Sequence, residues 1–362
     1  MDVGRRTIVA MHNSIQYFED ISFVVIGKNA ERDIARLLAS IVARTPAQVT
    51  SEIIYVDSAS TDRSVEIVAR YPATIVQLSA SRPLCASAGR YMGSKYATGR
   101  YVAFFDSDME LLDGWLEQAL RVLDDNPKIA VVSGIQIDGD LPLPSAKQQT
   151  ADAESDGHVR FNDVQFAGSA AVFRHEVLDA AGTWNPYIIS DEEPELCLRI
   201  RRAGHRIVEV ACPSVRHFGY AAFTISALLD RRKRRLFLGY GQVIRYHLFS
   251  GFVLAYLRER GWMVLPALAG CAAIGAGIVS WVSGDILWAA GFAGVMVVAF
   301  VLDAVRCRSL HRAMCRMLQR ALILEGTIRG MLLRLYPPNE YPHDARVSAV
   351  CDRRPGEKVM TV

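Results

Sequence analysis

The sequence predicts an α/β protein with a mostly parallel sheet, followed by a C-terminal helical hairpin long enough to cross a membrane. Three observations support this prediction. Short apolar runs alternate with helical periodicity from residue 21 to about residue 133. One of these runs, 101–105, ends directly in two closely spaced aspartates. Two stretches without any charged residue, 262–283 and 286–302, follow a basic region.

Each predicted element follows from a local pattern. Apolar runs without alternation are typical of strands buried in a parallel sheet. The predicted strands are 23–26, 53–56, 74–78, 101–105, 129–133 and 207–210. Apolar residues at helical spacing, such as those at 34, 37, 38 and 41, lie between the strands. The predicted helices cover 34–41, 64–69, 86–96, 111–123 and 196–203. This alternation implies right-handed crossovers.

The composition limits the class of protein. The chain has 362 residues, of which 51% are hydrophobic, and a formal net charge of +3. That charge is too small to indicate nucleic acid as a partner, and no recognition motif points to it. The seven cysteines form no Cys-x-x-Cys pair. We therefore expect reduced thiols in a cytosolic compartment rather than a disulfide framework or a zinc site.

Asp106 and Asp108 follow the predicted strand 101–105 at its carboxyl end, where open α/β sheets bind ligands. Their oxygens suit Mg²⁺ or Mn²⁺, which proteins usually share with substrate phosphates. The pair therefore indicates chemistry on a nucleotide diphosphate. Aspartates in this position also cap turns and helices, which is the structural alternative.

Three acidic motifs follow one another along the chain: YVDSASTD at 55–62, DSD at 106–108 and DEEPELCLR at 191–199. Together they resemble family-2 glycosyltransferases of the GT-A fold, and the resemblance extends over about 21–246. It implies a nucleotide-sugar-binding domain with a mostly parallel sheet. It also implies a divalent cation, Mg²⁺ or Mn²⁺, and a nucleotide-sugar donor.

The resemblance also implies donor-binding roles for individual residues. Asp57 would bind the nucleotide base, Asn29 and Glu31 would border the nucleotide, and Arg90 would contact ribose or phosphate. Asp106 would contact ribose or, through water, the metal. Structural alternatives stay open: Asp57 could cap a turn, Asn29 could cap a helix, and Arg90 could lie on a helix surface.

The cation is assigned to Asp108, with Asp106 and His217 as further ligands. His217 resembles a histidine that completes the metal sphere in related enzymes, although a lone histidine is often structural. A cation is needed because charge develops on the departing diphosphate.

The acceptor hydroxyl needs a general base as it attacks the anomeric carbon. Alignment on the family motif places Glu193 there, with Asp191 and Glu192 as fallbacks. The structural alternative is an acidic helix start, which the helix dipole favours.

Two features precede the uncharged stretches. Gln242 and Arg245 resemble the Gln-x-x-Arg-Trp motif of membrane synthases, where it lies near the diphosphate and the acceptor. An amphipathic anchor would explain the same residues. The basic run 231–235 is predicted to meet anionic lipid headgroups or the phosphates of a lipid-linked acceptor, or only to set the topology.

The predicted organisation has six parts. They are an N-terminal extension (1–20), the GT-A domain (21–225), a basic amphipathic interfacial segment (226–260), a two-helix transmembrane hairpin (261–306), an amphipathic helix (307–336) and a flexible tail (337–362). Arginines flank both ends of the hairpin, which predicts a multi-pass protein of the inner membrane with its GT-A domain in the cytoplasm. A hairpin buried in a soluble core is the alternative.

These expectations combine into a membrane-associated glycosyltransferase, inverting by resemblance, that uses a nucleotide sugar and a lipid-linked or glycan acceptor. Polysaccharide or glycolipid synthesis is the expected pathway, with membrane lipids as partners and no nucleic acid. The alternatives are transfer to polyprenyl phosphate, a processive synthase, and a catalytically silent GT-A membrane partner.

Overall fold

The computed structural model describes residues 19–139, 141, 154–155, 158–168, 170–219, 223–261 and 265–349. The strands in these ranges are β1 Glu19–Gly27, β2 Ser51–Asp57, β3 Ala73–Gln77, β4 Gly99–Asp106, β5 Met109–Leu111, β6 Ile129–Asp138, β7 Glu154–Ser155, β8 His158–Val159, β9 Phe161–Asp163, β10 Ala171–Arg174, β11 Arg206–His217 and β12 Arg346–Ala349.

The helices lie between and after these strands. They are α1 Ile34–Arg44, α2 Ser64–Val68, α3 Ala86–Tyr96, α4 Trp115–Asp125, α5 His175–Ala180, α6 Glu192–Arg202, α7 Ile225–Lys233, α8 Gly239–Tyr246, α9 Phe252–Arg260, α10 Leu265–Ser283, α11 Leu287–Cys307 and α12 Leu310–Leu332, with a short 3₁₀ turn at Pro338–Glu340. The helix predicted at 111–123 begins later, because residues 109–111 form β5.

Most strands form one mixed sheet in the order β12-β3-β2-β1-β4-β10-β6-β11-β5, with β9 also paired to β11. The strands β1, β2, β3 and β4 are parallel, as the alternation predicts. Strand β10 runs antiparallel between β4 and β6. The result is an α/β fold whose four parallel strands direct their carboxyl ends to one edge.

The sheet buries apolar side chains on both faces. Phe23 and Val25 of β1 belong to one core, whereas Val24 and Ile26 belong to the other. This explains the apolar run without alternation, because a strand covered on both sides has no polar face.

The segment predicted to be interfacial, 226–260, packs against the sheet domain in this structure. Val243 of α8 and Tyr256 of α9 share a buried cluster with Ile188 and with Leu198 of α6. Helices α8 and α9 therefore form part of the support for the loop that leads into α6.

The tail predicted to be flexible, 337–362, is ordered over its described part, to residue 349. Val347 of β12 pairs antiparallel with Val76 of β3, and Tyr341 is buried with its hydroxyl donating to the Pro83 carbonyl at 2.7 Å. Arg82 donates to the Pro342 carbonyl, also at 2.7 Å. The local composition suggested a loose tail, but its partners lie more than 250 residues earlier. Residues 350–362 and 1–18 lie outside the described ranges.

The predicted two-span hairpin is not confirmed. Within the described residues, one helix, Leu287–Cys307, is long and apolar enough to cross a membrane. Helix α10 contains a shorter apolar stretch, Cys271–Ser283.

Candidate active site

The carboxyl ends of neighbouring parallel strands bring two of the acidic motifs together. Parallel pairing aligns Gly27 of β1 with Asp57 of β2, and Ile26 of β1 with Asp106 of β4. A cavity of about 730 Å³ opens at this edge, where open α/β sheets bind ligands. Asp57 and Asp106 therefore flank the end of β1, where Asp106 and Ser58, the residue after Asp57, line the cavity.

Asp108 and His217 form a pair in the cavity wall. Antiparallel pairing of β5 with the end of β11 aligns Met109 with His217, which places His217 Nε2 3.4 Å from Asp108 Oδ1. Burial raises the pKa of Asp108, but its hydrogen bond and ion pair with His217 outweigh this, so its pKa lies below the ordinary value. The same hydrogen bond raises the pKa of His217.

The carboxylate oxygens of Asp108 and the imidazole nitrogen of His217 suit a divalent cation that also binds substrate phosphates. Within the described ranges, no three His, Cys, Asp or Glu side chains are grouped as a complete metal cage. A cation in a nucleotide site usually keeps positions for substrate phosphates, so an Asp–His pair facing an open cavity suits it. At Gly219, an added Cβ would lie 1.8 Å from Asp108 Oδ2, so this position requires glycine to leave room for the carboxylate.

Arg90 connects Asp106, at the end of β4, with Glu192 and Glu193, at the start of α6. Its side chain is 2% exposed. Nη2 donates to Asp106 Oδ1 at 3.0 Å, and Nη1 donates to Glu192 Oε1 at 2.7 Å and lies 3.1 Å from Glu193 Oε1. The guanidinium also lies over the ring of Trp184, at 5.1 Å. One buried cation thus holds three carboxylates in a single cluster, here called the Arg90 cluster.

Two expectations for Arg90 therefore need correction. The residue does not lie on a helix surface, because its side chain is buried. Both terminal nitrogens face protein carboxylates rather than the cavity, so direct contact with ribose or phosphate is not favoured. We describe Arg90 as a residue that positions Asp106 and Glu193.

The three candidate bases differ in accessibility. The Asp191 side chain is 4% exposed and accepts hydrogen bonds from Tyr256 and Arg260 of α9. The Glu192 side chain is 7% exposed, and that of Glu193 is 21% exposed. Burial raises the pKa of Glu193, and a neighbouring guanidinium only partly offsets this. Glu193 is thus the carboxylate of the three that an acceptor can best reach.

Glu193 adjoins the cavity without forming its wall. The described residues that line the cavity include Asp106, Asp108 and His217, but not Glu193. Asp106 belongs to both the wall and the Arg90 cluster, so it connects the Asp108–His217 pair with Glu193.

Asp57 has one satisfied and one unsatisfied carboxylate oxygen. Its Oδ2 accepts a hydrogen bond from the Ser60 amide at 3.1 Å. Its Oδ1 is buried and has no hydrogen-bond partner among the described residues. Because a buried unpaired acceptor is unfavourable, a ligand donor is a suitable partner for it. Asp57 can therefore cap the turn through Oδ2 and still be free to contact a nucleotide base through Oδ1.

Asn29 and Glu31 tie two loops together. Asn29 Oδ1 accepts from the Thr61 amide at 2.8 Å, and Glu31 Oε2 accepts from the Arg63 amide at 3.2 Å. The helix-cap alternative for Asn29 is wrong, because α1 begins at Ile34 with residue 33 as its N-cap. Both side chains hold the loop after β1 against the loop after β2, and their contact with a nucleotide stays a prediction.

Gln242 does not face the cavity. Its amide nitrogen donates to the Tyr187 carbonyl at 2.7 Å, and its amide oxygen accepts from the Ile189 amide at 3.0 Å. The predicted donor contact is thus replaced by a structural one, which fixes the loop before Asp191. Arg245 is exposed on α8 and is not among the described residues that line the cavity.

Sequence reasoning missed the inward-facing members of the basic run. Arg231 and Arg234 line the cavity together with Asp108 and His217. The run itself is visible in the sequence, but only the packing of α7 shows which of its arginines turn inward.

Comparison with known proteins gives consistent matches. Residues 22–182 match the family model described as Glycosyl transferase family 2. The chain is 26% identical over 232 residues to a putative polypeptide N-acetylgalactosaminyltransferase 13 of Drosophila melanogaster, covering 55% of this chain and 41% of that protein. It is 33% identical over 113 residues to the uncharacterized glycosyltransferase YibD of Escherichia coli K12, covering 30% of this chain and 32% of that one. The chain thus spans well under half the length of these relatives.

A solved structure shares the fold along most of the chain. The mannosyltransferase PcManGT of Pyrobaculum calidifontis, in complex with GDP-Man and Mn²⁺, superposes with a TM-score of 0.57 at 16% identity. The superposition covers 90% of this chain and 91% of that one. At this identity the likeness shows the fold alone.

Proposed function

We propose that this chain, which belongs to glycosyl transferase family 2, transfers a sugar from a nucleotide-sugar donor to an acceptor hydroxyl. The observation that carries the proposal is the Arg90 cluster. It connects Asp106, in the wall beside the Asp108–His217 pair, to the accessible carboxylate of Glu193. Groups for both the leaving nucleotide and the attacking acceptor are thereby held in one connected site.

The donor side of the reaction is assigned to the cavity wall. Asp108 and His217 would hold a divalent cation, Mg²⁺ or Mn²⁺, which stabilises charge on the departing diphosphate when it is bound. The unpaired Oδ1 of Asp57 would accept a hydrogen bond from the nucleotide base. The same fold in a mannosyltransferase solved with GDP-Man and Mn²⁺ supports a divalent cation and a nucleotide-sugar donor.

The acceptor side is assigned to Glu193. As the acceptor oxygen attacks the anomeric carbon, its proton would pass to Glu193 Oε1 or Oε2, which is general base catalysis. Arg90 keeps the carboxylate in place, at 3.1 Å from Nη1. Direct attack from the side opposite the diphosphate would invert the anomeric configuration, as the family resemblance implies.

A donor-cleavage screen tests the proposal. Purified protein is offered a panel of UDP- and GDP-sugars with Mn²⁺ or Mg²⁺, and the released nucleoside diphosphate is measured with and without a chelator. We expect cation-dependent release from at least one donor. The proposal would be contradicted if no donor, with either cation, showed nucleoside diphosphate release or nucleotide binding. That result would favour a catalytically silent partner protein.

We further propose that the protein works at a membrane on a lipid-linked acceptor, in glycolipid or polysaccharide synthesis. Helix α11 supports this, since it is long and apolar, and it exposes Val295, Val298 and Val301 along its length. Flotation with phospholipid vesicles checks it: the full chain should float with the vesicles and resist washing at high pH. Recovery in the aqueous fraction without detergent would rule it out.

A further inference from the structure

We propose that Arg231 and Arg234 form a clamp for the diphosphate group of the donor, an inference that rests on the proposed function. Both residues line the cavity whose wall also holds Asp106, Asp108 and His217. The clamp would thus act from the helical side of a cavity that Lys28 also lines.

The geometry of the basic run divides its members into two groups. Arg231 and Arg234 are three residues apart at the end of α7, a spacing that places two side chains on one helical face. Arg232 instead donates from Nε and Nη2 to Glu325 of α12, each at 2.7 Å, and Lys233 lies 3.5 Å from Asp230. Of these four residues, Arg231 and Arg234 line the cavity.

The charges of the first group are available to a ligand. Within the described ranges, no carboxylate forms an ion pair with the guanidinium of Arg231 or Arg234, whereas Arg232 and Lys233 each have one. Arg234 lines the same cavity as Asp108, so its charge faces the proposed site. A guanidinium binds phosphate oxygens in a planar, two-pronged geometry.

The charge balance of the cavity favours a diphosphate as the occupant. Its wall presents the carboxylates of Asp106 and Asp108, and Lys28 adds one positive charge, so a nucleoside diphosphate needs further positive charge to bind there. The divalent cation proposed at Asp108 and His217 supplies part of that charge. Arg231 and Arg234, which line the same cavity, would supply more of it, in the way that a transferring or departing phosphate group is clamped between cations.

A phosphate group could also come from a lipid headgroup, so the test separates the two sources. The double variant R231A/R234A is compared with K233A, which removes a charge from the same run outside the cavity. Calorimetry measures the affinity of wild type and variants for UDP and for GDP with Mn²⁺. A parallel flotation assay measures binding to vesicles that contain phosphatidylglycerol.

We expect R231A/R234A to weaken nucleoside diphosphate binding by about tenfold or more, the scale of lost charge-assisted hydrogen bonds. K233A should stay within about twofold of wild type. Vesicle binding by the double variant should fall no further than that of K233A, and thermal unfolding should confirm that all variants are folded. The single variant R234A gives the same test if the double variant unfolds.

Unchanged nucleotide affinity in R231A/R234A overturns the clamp while the proposed function stands. Reduced vesicle binding with unchanged nucleotide affinity also overturns it and assigns the arginines to lipid phosphates. A wild-type protein that binds neither nucleotide overturns the proposed function, and the clamp with it.

Discussion

Replacing Asp108 with alanine is expected to lower turnover by about 10²- to 10³-fold or more and to remove its dependence on Mn²⁺. The carboxylate lines the cavity, stays ionised because its pKa lies below the ordinary value, and lies 3.4 Å from His217. Without it, a divalent cation would keep only His217 and Asp106, whose Oδ1 is already bound to Arg90, and so would lose its main oxygen ligand. Nucleoside diphosphate release over a Mn²⁺ titration measures both effects.

Asp113→Ala is the matched control for this variant. Asp113 follows β5, its side chain is 85% exposed, and it pairs with Arg44 at 2.9 Å. Exposed ion pairs contribute only about 0–1 kcal/mol, so this variant should keep wild-type turnover. Wild-type turnover with unchanged cation dependence in Asp108→Ala would show that the metal assignment is wrong.

Replacing Glu193 with glutamine is expected to lower kcat by about 10²- to 10⁴-fold, the range of general base catalysis, with little change in the KM for the donor. Glutamine keeps the size of the side chain but cannot take the acceptor's proton. Wild-type kcat/KM should fall as the solution becomes acidic, because the reactive form is the unprotonated carboxylate. Burial raises the pKa of Glu193, so this fall should begin at a higher pH than for an exposed glutamate.

Glu192→Gln separates base catalysis from electrostatics. Glu192 contacts the same Arg90 nitrogen as Glu193, at 2.7 Å, but its side chain is only 7% exposed. Both variants replace one carboxyl group of the Arg90 cluster with an amide, and we expect the larger loss of kcat in Glu193→Gln. Intact turnover in Glu193→Gln would refute the base assignment and favour an acceptor that is already an anion, such as polyprenyl phosphate.

Local periodicity accounts for what could be predicted of the fold. The predicted helix 86–96 coincides with α3, and the predicted strand 101–105 lies within β4. Because parallel strands end at one edge, the chain order of the motifs was enough to bring Asp57 and Asp106 together. These features depend on residues a few positions apart.

The missed features depend on contacts that are distant in the chain. Gln242 matches a membrane-synthase motif, yet its amide binds the backbone of Tyr187, 55 residues earlier. Asp191 is a plausible base by sequence, and only the packing of α9 shows that Tyr256 and Arg260 occupy it. The inward turn of Arg234 likewise follows from how α7 packs, which no local pattern encodes.

Anomalous diffraction from crystals grown with Mn²⁺ and a nucleoside diphosphate tests the central claim most directly. The account predicts one manganese peak within coordination distance of Asp108 and His217, with the diphosphate between that ion and Arg234. A manganese ion bound away from Asp108, or a nucleotide bound outside this cavity, would contradict it.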